Sequence, residues 1–141
     1  MILPMLDLQT PEGALFPWQE HWQKHNVLAL ITHPDCTACR RVLEAWSRRA
    51  PELAAENVVA LAIGPAPLEA PPPIHPIADP QGRLAARLGV EPGAIVAADR
   101  FFEILQVGDA HAGDPADAAR DALDWIRLAE RKCDECGVPT W

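Results

Sequence analysis

Cys36 and Cys39 are separated by two residues, a spacing that allows two thiols to form and break a disulfide. They follow the strongly apolar run 26–32 and the short segment 33–35, and a helical pattern begins at the first cysteine. Cys36 is therefore expected at a helix N-terminus, where free N–H groups and the helix dipole favour a thiolate. Cys39 lies about one turn further in, within reach but more shielded. This arrangement is suited to dithiol chemistry, in which one cysteine attacks and the other resolves.

Charged neighbours are predicted to act on the thiolate of Cys36 in opposite directions. Arg40, Arg41 and His33 favour the charged form of the sulfur, because each can place positive charge near it. Asp35 disfavours it, because a neighbouring carboxylate repels a thiolate. The opposing effects leave the redox potential of the pair open.

A second pair with the same spacing, Cys133 and Cys136, closes the last helical pattern. Three interpretations compete: a second dithiol that exchanges electrons with the first pair, between two chains; a local disulfide or inert pair; and half of a four-cysteine zinc site that another chain completes. Asp134 and Glu135 disfavour thiolates at this pair but favour a cation. No other metal site is assigned and no cofactor is expected, apart from zinc under the third interpretation.

The composition predicts a folded soluble protein with one domain, residues 1–141, that carries the second C-x-x-C in a tail at 133–141. The formal net charge of −8 argues against a nucleic-acid partner, since it would be repelled by phosphates. No stretch approaches the roughly 20 apolar residues of a membrane span, so no membrane association is expected. The first residues lack a basic segment followed by an apolar one, which predicts a cytoplasmic location.

Hydrophobic periodicity predicts the elements that must position the cysteines. Continuous apolar runs predict buried strands, and apolar residues spaced three and four apart predict helices. The predicted strands cover 27–32, 58–63, 94–98 and 103–107. The predicted helices cover 36–49, 81–88 and a final helix from 114, with Pro51 ending the first one and Asp79 and Pro80 opening the second. A hairpin-like segment is expected at 6–18, a helical turn or two at 18–24 and a stiff proline loop at 65–76.

This order of elements resembles the thioredoxin-like superfamily, most closely its redoxin branch, which is related to the alkyl hydroperoxide reductase and thiol-specific antioxidant proteins. The resemblance is carried by residues 28–39 and 78–90, and it continues through Pro92, 94–100 and 103–104. It implies an α/β thioredoxin-like fold, in which a central mixed β-sheet is flanked by helices.

The resemblance also implies roles for individual residues. Cys36 becomes the attacking thiol and Cys39 the resolving thiol. The superfamily places a cis-proline opposite the C-x-x-C, where it presents backbone to the substrate and hinders metal binding. Pro92 is the candidate, because Glu91-Pro92 is the one realistic cis bond nearby, although Gly93 stands in the usual place. Glu91 and Pro92 are therefore predicted to bind substrate.

Departures from the family patterns narrow the expected reaction. Asp35 stands where thioredoxins have a tryptophan, and Leu30 where they have a buried acid. His33 replaces the threonine of the peroxiredoxin signature. The position at which peroxiredoxins have a substrate-binding arginine falls near Gly93. Peroxidase activity is therefore not expected, because disulfide exchange tolerates these changes better than peroxide reduction does.

The expected function is a thiol–disulfide oxidoreductase that works through a mixed disulfide of the Cys36/Cys39 dithiol. Its partners would be a protein or small-molecule disulfide and a thiol reductant. The alternative is a redox-inactive thioredoxin-like interaction module, with zinc at the C-terminal pair. In the fold that the resemblance implies, the last helix starts at the active-site end of the sheet and runs away from it. Cys133 and Cys136 are then expected too far from Cys36 to bond, beyond about 7 Å between Cα atoms.

The histidines carry weaker signals. His21 and His25 lie four residues apart on a helical turn and could bind a metal, but solvation of both is the favoured interpretation. His75, in the proline loop, and His111, in a Gly/Ala/Asp loop, receive no role.

Overall fold

The computed structural model describes residues 1–66 and 69–136, apart from the side chains of 132–136. Its helices are α1 (Trp18–His21), α2 (Thr37–Arg48), α3 (Ala50–Ala55), α4 (Arg83–Leu88) and α5 (Pro115–Cys136). Its strands are β1 (Asn26–Ile31), β2 (Val58–Gly64), β3 (His75–Ala78), β4 (Ala94–Ala98) and β5 (Ile104–Asp109). Within this part of the chain, no helix is both long and apolar enough to cross a bilayer.

The strands form one mixed sheet in the order β3-β2-β1-β4-β5. β2 pairs in parallel with β1 and with β3, whereas β4 is antiparallel to β1 and to β5. Every residue of β1 is buried, as expected for a central strand that is covered on both faces. The predicted α/β fold, a mixed sheet flanked by helices, is confirmed.

Side chains alternate between the two faces of the sheet and build a core on each. Along β1, Leu28 and Leu30 join the core that also contains both cysteines and residues of α2, α3 and α5. Val27, Ala29 and Ile31 join the other core, with the N-terminal segment, α1 and α4. The C-x-x-C pair therefore lies on the face that α2 and α5 cover.

Side-chain hydrogen bonds fix α5 along this face. The indole N–H of Trp46, a fully buried residue of α2, donates to the carbonyl of Ala119 at 3.1 Å. Further along α5, the carboxylate of Glu130 accepts bonds from the Asn26 amide at 2.7 Å and from the Arg100 guanidinium. Because Asn26 is the first residue of β1, α5 extends toward the amino end of that strand.

The structure corrects two predictions that concern proline. Pro51 does not simply end a helix, since it lies in the first turn of a further helix, α3, where a missing N–H is tolerated. The loop predicted at 65–76 is shorter, because His75 and Pro76 begin strand β3. Pro76 is accommodated there because β3 is an edge strand, on which one side of the backbone needs no ladder partner.

Two smaller differences concern capping and the N-terminal segment. α4 begins at Arg83 instead of residue 81, but Asp79 still caps it, accepting from the N–H groups of Arg83 and Leu84 at 3.0 and 2.9 Å. The hairpin-like segment predicted at 6–18 is present but short. It contains one bridge between Gln9 and Leu15, and Phe16 N–H and Thr10 N–H donate to the carbonyls of Leu8 and Ala14.

Candidate active site

The predicted cysteine pair lies at the start of α2. Cys36 is the N-cap residue, and its sulfur accepts a bond from the backbone N–H of Cys39 at 3.1 Å. The two residues form a disulfide, with their Cα atoms 5.2 Å apart. Cys36 is 6% exposed and Cys39 is 2% exposed, so the first cysteine is the more accessible of two largely covered sulfurs.

Two histidine rings meet beside this pair. His111 Nε2 lies 3.8 Å from the sulfur of Cys36 and 3.0 Å from Nε2 of His33. The His33 ring makes a further contact through Nδ1, which lies 3.2 Å from the carbonyl oxygen of Pro34. A carbonyl only accepts, so this bond requires Nδ1–H as the donor and leaves Nε2 of a neutral His33 as an acceptor. His111 Nε2–H then donates to His33.

The sheet topology explains why His111 reaches the pair. β5 runs antiparallel to β4, which runs antiparallel to β1, so β1 and β5 end at the same edge of the sheet. His111 follows the end of β5, and its backbone N–H donates to Asp109 Oδ1 at 2.8 Å. Sequence reasoning missed this residue. The signal that could have found it is the topology of the thioredoxin-like fold, in which the loop after β5 lies beside the segment before Cys36.

Gly93 lies against His111, at the position where the family resemblance places a proline. Its N–H donates to Ile31 at the end of β1, and its carbonyl accepts from Ala110 just after β5. A β-carbon on Gly93 would lie 2.5 Å from Cδ2 and 2.7 Å from Nε2 of His111. The absence of a side chain at Gly93 therefore makes room for the His111 ring over Cys36.

The prediction that Pro92 supplies a cis bond is wrong. The cis bond of the described residues joins Pro72 and Pro73, so the bond from Glu91 to Pro92 is trans. The reason is a turn in which Ala94 N–H donates to the Glu91 carbonyl at 3.1 Å and Gly93 has φ +100°. This is the type II pattern, with proline in the second position and glycine in the third. Glu91 and Pro92 line a shallow pocket beside His111, and their role in substrate binding stays a prediction.

A cavity of about 290 Å³ borders the disulfide. It gives access to both cysteines from the surface between the start of α2 and the segment after β2. Its lining comprises Thr32, His33, Pro34, Asp35, Cys36, Cys39, Arg40, Leu43, Pro65, Ala66 and Glu69.

The charged residues predicted to tune Cys36 lie at the surface. Arg40 and Arg41 are exposed, and the Arg40 guanidinium contacts the Thr37 hydroxyl at 3.4 Å. Asp35 is exposed as well, in the left-handed conformation with φ 56°. Leu30 is fully buried in the same core as the cysteines, so the place of the thioredoxin acid is apolar here.

The remaining predicted residues lie away from this site. Cys133 and Cys136 are in the last turns of α5, but their side chains lie outside the described residues, so their pairing and any zinc there stay predictions. His21 and His25 contact each other through Nδ1 atoms 3.0 Å apart, and His21 stacks on Phe16. Burial lowers the pKa of His21, and the charges of His25 and His75 lower it further.

No family model matches the chain, and no curated protein is significantly similar to its sequence. Solved structures do match it. Peroxidoxin BcpB from Mycobacterium tuberculosis has a TM-score of 0.73 and 17% identity, over 87% of this chain and 92% of that one. A candidate thiol:disulfide interchange protein DsbE from Chlorobium tepidum has a TM-score of 0.71 and 15% identity, over 89% and 95%. Peroxiredoxin Q from Xanthomonas campestris has a TM-score of 0.72 and 13% identity, over 92% of this chain and 97% of that one.

The fold is thioredoxin-like. The predicted thioredoxin-like fold is confirmed, because these peroxiredoxins and this interchange protein share the architecture along nearly their whole length. At identities of 13–17% the likeness establishes the fold, and the reaction has to be argued from the residues of this chain.

Proposed function

We propose that this protein is a thiol–disulfide oxidoreductase whose Cys36/Cys39 pair exchanges electrons with a substrate disulfide. The observation that carries the proposal is the disulfide between these two residues at the N-terminus of α2, bordering a surface cavity. A covalent pair that can reach substrate is what two-step thiol exchange requires.

The surroundings favour Cys36 as the attacking sulfur. Its sulfur accepts the N–H of Cys39, lies at the positive end of the α2 dipole and lies near His111 Nε2. Hydrogen bonds to the charged form favour a thiolate. Cys39 is deeper in the core and is suited to the second step.

The proposed reaction conserves atoms and electrons. The Cys36 thiolate attacks one sulfur of the substrate disulfide, and the other sulfur leaves as a thiolate that takes a proton. The Cys39 thiolate then attacks the Cys36 sulfur of the mixed disulfide, which releases the second substrate thiol and leaves the protein oxidised. A thiol reductant restores the dithiol by the reverse exchange. The substrate is a protein or small-molecule disulfide that reaches the sulfurs from the cavity.

Peroxide reduction is the nearest other reaction, and we propose that it is not the principal activity. His33 replaces the signature threonine, and its ring is engaged with His111 and Pro34. The structural matches include peroxiredoxins as well as an interchange protein, so they do not separate the two reactions. Measuring peroxide consumption and disulfide exchange side by side separates the two reactions. Peroxide turnover faster than disulfide turnover would contradict this part of the proposal.

Insulin reduction with dithiothreitol tests the exchange activity. We expect Cys36→Ser to abolish acceleration over dithiothreitol alone, and Cys39→Ser to accumulate a mixed disulfide that mass spectrometry detects. A variant with both Cys133→Ser and Cys136→Ser is the matched control and should keep the activity. Equal rates for the wild type and Cys36→Ser would reject the proposal and favour the redox-inactive interaction module.

We also propose a cytoplasmic location and the absence of a nucleic-acid partner. A dithiol that is used repeatedly must be reduced again by a thiol reductant, and such reductants keep the cytoplasm reducing, which supports the cytoplasmic location. The net charge of −8 supports the absence of a nucleic-acid partner. Cell fractionation and a gel-shift assay at low salt test them.

A further inference from the structure

We propose that the reduced protein binds one Zn²⁺ ion through His33 Nε2, Cys36 Sγ, Cys39 Sγ and His111 Nε2. These four atoms all lie within 4.8 Å of one another. Two thiolates and two imidazoles form a common tetrahedral donor set for zinc. This site is separate from the C-terminal cysteine pair, and its formation requires no exchange activity.

The interatomic distances are close to those of a zinc tetrahedron. With Zn–S near 2.3 Å and Zn–N near 2.05 Å, neighbouring nitrogens lie about 3.3 Å apart, and nitrogen and sulfur about 3.5 Å apart. The structure has 3.0 Å between the histidine Nε2 atoms and 3.8 Å from His111 Nε2 to Cys36 Sγ. Reduction frees the two sulfurs to separate to about 3.8 Å, the edge that a tetrahedral dithiolate spans.

Contacts outside the four ligands already orient them. His33 Nδ1–H donates to the Pro34 carbonyl, which turns the unprotonated Nε2 toward the cluster. The N–H of Cys39 donates to the Cys36 sulfur. Asp109 accepts from the backbone of His111 and sets the loop that carries it. Such outer contacts are typical of metal sites, in which they fix the tautomer and the direction of each ligand.

Gly93 removes the obstacle that the family resemblance led us to expect. In the superfamily a proline opposite the C-x-x-C hinders metal binding, whereas here Gly93 stands in that position, has no side chain and admits the His111 ring. His111 itself is exposed and His33 is half-buried, while both cysteines are covered. An ion can therefore arrive from the histidine side, with the thiolates shielded beneath it.

Zinc and the disulfide exclude each other. Binding of Zn²⁺ to the dithiol releases two thiol protons and forms two Zn–S bonds. The neutral His111 ring changes tautomer at the same time, so that its proton is on Nδ1 and its Nε2 is free to bind the ion. A disulfide oxidant RSSR reverses this: the zinc dithiolate, RSSR and two protons yield the Cys36–Cys39 disulfide, two RSH and free Zn²⁺. The metal keeps its charge, and the electrons pass from the protein sulfurs to RSSR. This reversal rests on the proposed exchange chemistry, but the binding does not.

The test uses full-length protein carrying Cys133→Ser and Cys136→Ser, so that the C-terminal pair contributes no ligand. Reduced anaerobically, this protein is titrated with Zn²⁺ against a chromophoric chelator and, separately, with Co²⁺. We expect one ion per chain and the absorption bands of tetrahedral, thiolate-bound Co²⁺. His111→Ala and His33→Gln should each weaken zinc binding by more than about 100-fold, the upper range for loss of an outer-shell partner. His25→Gln, a histidine remote from the cluster, should leave it unchanged.

Two results would overturn the proposal. One is equal zinc affinity in the parent and in both histidine variants, with circular dichroism confirming that the variants fold. The other is zinc binding that disappears when Cys133 and Cys136 are replaced. Loss of insulin reduction with zinc binding intact would reject the exchange function alone.

Discussion

The imidazole ring of His111 occupies the space that a β-carbon on Gly93 would need, 2.5 Å from ring atom Cδ2. His111 can lie over Cys36 only because residue 93 has no side chain; a methyl group there would displace the ring. The backbone at Gly93 also has φ +100°, a conformation that residues with a side chain rarely adopt.

Replacing Gly93 by alanine should displace His111. We expect Gly93→Ala to lower the unfolding free energy by about 1–3 kcal/mol through backbone strain and to weaken zinc binding by the reduced protein. Gly113→Ala is the matched control, because Gly113 has φ +105° with no atom within 4 Å of its added β-carbon. It should lose stability but keep its zinc affinity. Equal zinc affinities in the two variants, measured by chelator competition, would contradict the assignment of His111.

The carboxylate of Asp79 should contribute measurably to stability. It is 5% exposed and accepts two backbone N–H groups at the start of α4. Urea denaturation of Asp79→Ala should show a loss of about 1–2 kcal/mol, because those donors lose their partner. Asp114→Ala removes an exposed carboxylate that accepts one N–H, from Ala116, and should lose less. Equal losses of stability in the two variants would show that neither the burial of Asp79 nor its second hydrogen bond adds to the stability.

Trp46 should couple the folding of α2 to that of α5. Trp46→Phe removes the bond from Nε1 to Ala119 and part of a fully buried ring, so we expect a loss of about 1–3 kcal/mol. Trp125→Phe changes an indole that is 42% exposed and should stay within about 0.5 kcal/mol of the wild type. Thermal unfolding of both variants checks the contrast, and a loss at Trp125 as large as that at Trp46 would refute it.

The pH dependence of stability should contain a contribution from His21. Its pKa is lowered from 6.5, chiefly by burial and then by His25 and His75. Between the lowered value and 6.5 the unfolded chain therefore binds more protons than the folded chain, so stability rises with pH in that window and falls on acidification. His21→Phe, which keeps the stack on Phe16, should flatten this slope in urea titrations from pH 5 to 8, a range of about three units around the histidine pKa. An unchanged slope would show that another group titrates there.

Local pattern predicts the elements around the cysteines well. β1 is a continuous apolar run, and the apolar residues of α2 recur with helical spacing, so both elements were expected within two residues of their observed bounds. β3 and α3 were missed for one physical reason. Each begins with a proline in its first two residues, and proline breaks the interior of an element but fits a first turn or an edge strand.

The site was predicted as far as its parts are neighbours in the chain. Cys36 and Cys39 follow from their spacing and from the strand and helix that flank them. The contact from His111 to Cys36 joins residues 75 positions apart and depends on two antiparallel strand pairings. The expected cis bond at Pro92 failed because a proline followed by glycine also suits a trans type II turn, and Gly93 supplies the positive φ that this turn needs.

The 75-residue separation between Cys36 and His111 also sets an order of events during biosynthesis. At translation rates of about 5–20 residues per second, His111 is made about 4–15 s after Cys36. The cover over the sulfurs needs β4 and β5 to pair first. The nascent dithiol thus meets cellular thiols, oxidants and metal ions before His111 lies over Cys36, so its redox and metal state at that stage is set by the cell.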